Sequence, residues 1–390
     1  MTALIRESAT DPEQTDLPLW GRAGARVAEL DGIRGIAVLL VVTHHYSVNF
    51  SDTGALAPLF RAFREFGWVG VDLFFLLSGY LITGILLDAK GSPNYLPAFF
   101  ARRALRILPA YFLVLFVCFA AAPALGMPVL TRNAGDAPWF ILFGANFLTG
   151  IHGWPDAPLT PLWTLAIEEH FYLVWPFIVL VLPVRHLAVA TVLLAVESAS
   201  LRGFALHSGL NPTAAYVLTF THLDAKQVAQ LVAASTRFAR VPSVWLCREG
   251  AALLFGLVQV YQGYQNFGEG NERHLTWGLF LLAAGMGGGL IYLLSLTRDH
   301  LLMRFLRLKP LLVAGRLSYG MYLYHMLLVH ISGEMGPYPP SRTTPLVIFS
   351  LAQLTTLVIL AEVSFRFVEA PMSRLKERIP YGPAASGLPR

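Results

Sequence analysis

The chain is 390 residues long, 55% hydrophobic and only 14% charged, which is about half the charge of an ordinary globular protein and excludes a soluble enzyme. Its net charge of +5 is what basic cytoplasmic loops supply, so it does not call for a nucleic-acid partner. Two cysteines, Cys118 and Cys247, both in apolar contexts, argue against a disulfide framework or a zinc site, and no metal is expected.

Apolar stretches near the length needed to cross a hydrocarbon core of about 30 Å recur along the chain. They predict spans at 32–50, 66–88, 104–124, 161–183, 186–206, 243–262, 274–296, 308–331 and 345–368, with a shorter one at 137–151. The expected fold is an all-α polytopic transmembrane bundle of about ten spans. One further segment, 215–235, holds Asp224, Lys226, Gln227 and Gln230 and is too polar for a simple span; it is expected to be amphipathic or half-buried.

Residues 1–30 are polar, without the apolar core and cleavage site of a signal peptide, so the first span is expected to act as its own insertion signal. A single membrane domain is expected over 31–370, followed by a basic tail over 371–390. Basic residues gather at Lys90 to Arg106, at Arg298 to Lys309 and at Arg374 to Arg378. With 215–235 left out of the count, all three groups fall on the side of the amino terminus. Both termini are then cytoplasmic, in a cytoplasmic (inner) membrane. The loop at 262–274 is glycine-rich and polar and reads as a solvated connector.

Four constellations carry chemistry. Within the first span, Arg34 precedes His45 by 11 residues, about three helical turns, so both point the same way about 16 Å apart. An anionic ligand held at one end and chemistry at the other would suit that spacing. His44 is rotated by about 100° from His45 and reads as a packing residue. At the start of the second span come Asp72, then Ser78, Gly79 and Tyr80. The small residues suit close helix packing, whereas the carboxylate needs a partner. Arg102, Arg103 and Arg106 follow, with Arg103 and Arg106 on one helical face. Their planar forks suit phosphates, although the positive-inside bias alone would also place them there. In the span over 161–183, Glu168, Phe171 and Tyr172 share a face beside Glu169 and His170; these are costly at membrane depth unless paired or lining a cavity. A buried Glu–Arg pair is the structural alternative.

These segments, in this order, resemble the acyltransferase family 3 of integral-membrane O-acyltransferases. Arg34 and His45 fit its arginine–histidine pattern, and Gly70 to Thr83 fits its glycine-valine-aspartate-phenylalanine segment. Arg103, Arg106 and Pro109 fit its arginine-rich motif, and Glu168, Phe171 and Tyr172 its glutamate-x-x-phenylalanine-tyrosine motif. Gly315 to His325 and Phe365 to Pro371 are similar to its closing segments. Ala370 departs from the arginine usual before the proline, and the stretch around Asp224 is only weakly similar. Some members append a hydrolase-like domain outside the membrane; this chain looks like the stand-alone form.

The resemblance implies an acyl-CoA donor, commonly acetyl-CoA, as co-substrate, no permanently bound cofactor, and a carbohydrate or glycosylated acceptor. Arg34, Arg103 and Arg106 would take the donor phosphates. His45 would act as general base or acyl carrier, with Glu168 stabilising the imidazolium. Asp72, Ser78, Tyr80, Phe171 and Tyr172 would line the cavity, together with Ser318 and His325, which share a helix face with Tyr322. Counted from the helix ends, His45 lies about 10 Å deeper than Glu168, which tells against direct contact. The competing class is a proton-coupled transporter or flippase of a polar lipid. It would be expected to show pseudo-symmetric halves, and no internal repeat is visible.

Overall fold

In a computed structural model of the protein, the described residues are 27–47, 57–126, 134–154, 158–238, 274–334 and 343–382. They are helical with no strand among them. The helices are α1 (Ala28–Tyr46), α2 (Ala57–Phe66), α3 (Val69–Ala89), α4 (Tyr95–Phe116, continued through a π-helical turn to Ala124), α5 (Ala137–Ile141), α6 (Ala145–His152), α7 (Leu162–Val181) and α8 (Val184–His207). They continue as α9 (Pro212–Val217), α10 (Asp224–Phe238), α11 (Leu279–Ser295), α12 (Leu301–Leu306), α13 (Lys309–Glu334) and α14 (Thr343–Ser364, running on through a π-helical turn to Leu375). Among the described residues, 6 helices are long and apolar enough to cross a membrane: α3, α4, α7, α8, α11 with its preceding turn, and α14 with its continuation. The chain is therefore a multi-pass membrane protein. α1 and α13, of 19 and 26 residues, have comparable length but carry more polar side chains.

Glycine sets the central contact. Gly32 and Gly35 on α1 lie against the carbonyls of Leu306 and Leu311, and Gly315 on α13 lies against that of Asp31. A Cβ at any of the three would overlap backbone, so Gly35 and Gly315 let α1 and α13 approach as only small residues allow, and Gly32 does the same for α1 and the end of α12. The two helices run parallel, with Asp31 level with Gly315 and His45 level with His325. α3 packs antiparallel to α1, its Gly70 close to Ala37, while on its other side Gly79 sits 2.7 Å, measured from its would-be Cβ, from the Lys226 carbonyl of α10.

Polar ties fix the helix ends. The Lys90 ammonium donates to the carbonyls of Val179 and Leu182, each at 2.7 Å, where the C-terminal dipole of α7 favours a cation. Burial lowers the pKa of this lysine. Arg102 donates to the carbonyls of Lys376 and Ile379 at 2.9 Å, fastening residues 376–379 to α4.

The 137–151 segment is not a span. It is broken between α5 and α6, where Phe143 takes a positive φ of 56° and stacks on Tyr111 at 4.6 Å between centroids. Pro138 at the start of α5 and Gly144 between the pieces favour the break. The 215–235 segment is also different from expectation, being neither half-buried nor amphipathic at a surface. It divides at Leu218–Leu223, and Asp224, Lys226, Gln227 and Gln230 on α10 are all buried inside the bundle. Arg202 of α8 is the physical reason. It pairs with Asp224 at 2.7 Å and donates to the carbonyls of Thr276, at 2.7 Å, and Thr221. α10 runs parallel to α3 and α11, since Asp72 meets His222, Gly79 meets Lys226 and Ala229, and Gly287 meets Val228 and Val232. The predicted span 243–262, Cys247 and nearly all of the 262–274 loop lie outside the described residues; among the described residues six helices meet the criteria for spanning, so a count of about ten is not established.

Candidate active site

α1 presents His45 three turns beyond Arg34. The His45 Nδ1 lies 2.9 Å from the Val41 carbonyl. A carbonyl only accepts, so Nδ1 carries the proton and Nε2 keeps its lone pair in the neutral ring. His325 on α13 repeats the pattern: its Nδ1 donates to the Tyr322 carbonyl at 2.6 Å, and its Nε2 has no partner among the described residues. The two rings lie 4.9 Å apart. His44 turns away, as its rotation on the helix predicts, and donates to the Arg64 carbonyl at 2.7 Å.

His45 and Glu168 do not touch. Glu168 on α7 accepts from the Tyr172 hydroxyl at 3.4 Å, which also meets Ser78 Oγ at 3.1 Å. In place of the Glu–Arg pair that was the structural alternative stands this tyrosine, over whose ring the Arg103 guanidinium sits at 5.5 Å. Arg34 pairs with Asp31 at 3.0 Å. It also lies within electrostatic range of Arg106 and Tyr172, and Arg103 within range of Arg34 and Arg106. The three arginines named from sequence thus lie near one another, with Arg34 and Arg103 beside Tyr172, although they come from two helices far apart in the chain.

Glu168 also lies within electrostatic range of Tyr322. The Tyr322 hydroxyl bonds Thr164 at 2.7 Å and the Pro161 carbonyl at 3.0 Å, and its ring is 5.5 Å from His325. A polar line therefore runs from the arginines through Tyr172, Glu168 and Tyr322 to His325 and His45. Ser318 is buried one turn before Tyr322 on α13. Phe171 stacks on Trp175 at 5.7 Å, and Tyr80 packs against the apolar cluster that includes Leu30, Leu77 and Val232.

The partner of Asp72 and the interior position of Lys226 escaped the sequence reading. Asp72 faces no arginine; its Oδ1 lies 3.4 Å from His222 Nε2, and both residues are buried. Lys226 is fully buried, with Nζ 4.4 Å from the Phe75 ring centroid and 5.1 Å from that of Phe171. It lies within electrostatic range of Glu168 and Glu169. The signal for both was the polarity of 222–230, which marked the segment as an unfavourable span when it was in fact an interior helix lined with function-sized groups.

The chain as a whole is similar to known proteins. The peptidoglycan O-acetyltransferase OatA of Listeria monocytogenes is 29% identical over 367 residues, covering 89% of this chain and 56% of the relative. YrhL of Bacillus subtilis is 30% identical over 371 residues, 88% of this chain and 54% of the relative. The O-acetyltransferase OatA of Staphylococcus aureus is 24% identical over 376 residues, 88% and 57%. This chain thus spans just over half the length of the curated relatives it matches. No solved structure matches it. The family described as "Acyltransferase domain" matches residues 27–361, a stretch holding Arg34, His45, Arg103, Glu168 and His325. The chain belongs to that family, the acyltransferase family 3.

Proposed function

We propose that the protein is an O-acyltransferase of the cytoplasmic membrane, both termini cytoplasmic, that moves an acetyl group from acetyl-CoA to a hydroxyl of a cell-envelope amino-sugar polymer. Relatives named for peptidoglycan O-acetylation support the acceptor class. The basic ends of α4 and α14, tied together by Arg102, support the orientation through the positive-inside bias. Arg34, Arg103 and Arg106 supply charge and bidentate donors for the coenzyme A phosphates.

The single observation that supports the mechanism is the 2.9 Å contact of His45 Nδ1 with the Val41 carbonyl, an acceptor that draws the proton to Nδ1. With Nε2 as acceptor, His45 takes the proton of the acceptor hydroxyl as its oxygen attacks the thioester carbonyl carbon. The new C–O bond forms, the C–S bond breaks, and the proton passes from His45 to the departing thiolate, giving the ester and free coenzyme A. Glu168 acts at a distance, through Tyr322, by favouring the transient imidazolium pair of His45 and His325.

Thiol release from acetyl-CoA by detergent-purified protein, with and without solubilised peptidoglycan fragments, tests this reading. Acceptor-dependent release that disappears in His45→Ala supports it. Movement of an intact glycolipid across proteoliposomes with no thiol released would replace it by the transport reading.

A further inference from the structure

At the end of the bundle opposite the arginines, aromatic rings close around a buried carboxylate. Trp154, 47% exposed, lies between α6 and α7, with its ring 6.0 Å from Trp163 and 6.4 Å from Tyr216. Trp163 and Tyr216 are 5.3 Å apart. Beneath them the His222 ring meets Tyr216 at 4.7 Å and Trp163 at 5.6 Å. His222 in turn leads to Asp72, whose Oδ2 is buried with no hydrogen-bond partner among the described residues.

Rings of an interfacial belt face the lipid headgroups. Trp163 and His222 instead are buried, and His222 leads inward to the buried carboxylate of Asp72, a polar group that is costly at this depth. Tyr216 is held in place from below. Asn146 Nδ2 donates to the Val217 carbonyl at 3.3 Å and to Thr219 Oγ1 at 2.9 Å, fixing the turn that follows it.

Graded chemistry of this kind fits a sugar. The C–H face of a pyranose is apolar and stacks on aromatic rings, while its hydroxyls need carboxylate or imidazole partners. The position fits the reaction as well. Thr164, next to Trp163 on α7, bonds Tyr322, whose ring lies against His325 beside His45.

We propose that Trp154, Trp163 and Tyr216, with Asp72 and His222 beneath them, form the acceptor subsite, which binds a pyranose of an amino-sugar glycan. The proposal rests on the acyltransferase reading for its role in transfer, though not for sugar binding itself.

Saturation-transfer NMR on the full, detergent-purified chain with chitotetraose and with maltotetraose tests it. Wild-type protein is expected to saturate the sugar C–H protons of chitotetraose. Trp154→Ala is expected to weaken that binding at least about tenfold. Asp72→Asn, which keeps the shape of the side chain, is expected to weaken it too, both variants eluting as wild type on size exclusion. No saturation from either sugar, or saturation unchanged in both variants, overturns the subsite. Saturation of maltotetraose alone keeps a pyranose site and overturns the amino-sugar assignment. Sugar binding without any thiol release would count against the acyltransferase reading and leave the subsite standing.

Discussion

His45 and His325 face each other across the seam of α1 and α13, their ring centroids 4.9 Å apart and each Nδ1 spoken for by a carbonyl one turn or less behind it. Each Nε2 is thereby turned away from the carbonyls of its own helix. Replacing His45 with Ala is expected to cost about 10²–10⁴ in rate, the range of a lost general base. His325→Gln is expected to cost less, since it removes a neighbour of the base and not the base itself. Single-turnover thiol release checks both, with coenzyme A binding by equilibrium dialysis retained in each. Equal losses would mean that the two rings act as one unit.

Tyr172 is the junction between the arginines and the carboxylate. In Tyr172→Phe the links to Ser78 and Glu168 vanish together, so a drop in transfer rate is expected alongside a stability loss of only about 1 kcal/mol. Ser78→Ala leaves the Glu168 link intact and is expected to be milder. Thermal unfolding in detergent, read beside the rate, separates the two effects, and a Tyr172→Phe variant that turns over normally would take Tyr172 out of the reaction path.

Arg202 and Asp224 form an ion pair closed off from solvent, with exposures of 0% and 4% for the two side chains. Arg202→Met strands the carboxylate and is expected to destabilise by about 3–5 kcal/mol. Adding Asp224→Leu is expected to restore part of that loss, because the unpaired charge is gone. Melting temperatures of the single and double variants measure it; a double variant no better than the single would show that the contacts of Arg202 with the Thr276 and Thr221 carbonyls matter more than the pair.

Gly315→Ala places a methyl group on the Asp31 carbonyl. Overpacking of this kind costs about 1–3 kcal/mol, and because the seam sets the register of His45 against His325, activity is expected to fall further than stability. Gly289→Ala on α11, where a Cβ meets nothing within 4 Å, is the matched control, expected to be near neutral. Melting temperature and thiol release for the pair decide it.

Much of this was legible in the chain because membranes make polarity expensive. Arg34, His45, Asp72, Glu168 and the Arg103–Arg106 pair stand out against hydrocarbon, and a spacing of 3.6 residues per turn assigns their faces. Hydropathy failed at 137–151 and at 215–235 for a related reason. A window average reports how much apolar surface a segment has but not what faces it. The turn at Phe143 is set by a local break and a ring stacked from α4, and the carboxylate of Asp224 on α10 is paired with an arginine 22 positions before it. Partners that distant leave no periodic trace, which is why the Asp72–His222 pair and the burial of Lys226 had to be seen in three dimensions.

The parallel seam of α1 and α13 has a consequence for how the protein is made. Its two histidines are separated by 280 residues, from 45 to 325, and at ribosomal speeds of about 5–20 residues per second the second reaches the membrane about 15–60 s after the first. During that interval α1 sits in lipid with its glycine groove open and its histidine unaccompanied. The histidine pair is thus completed only once α13 has been inserted, so the proposed transfer must await that helix.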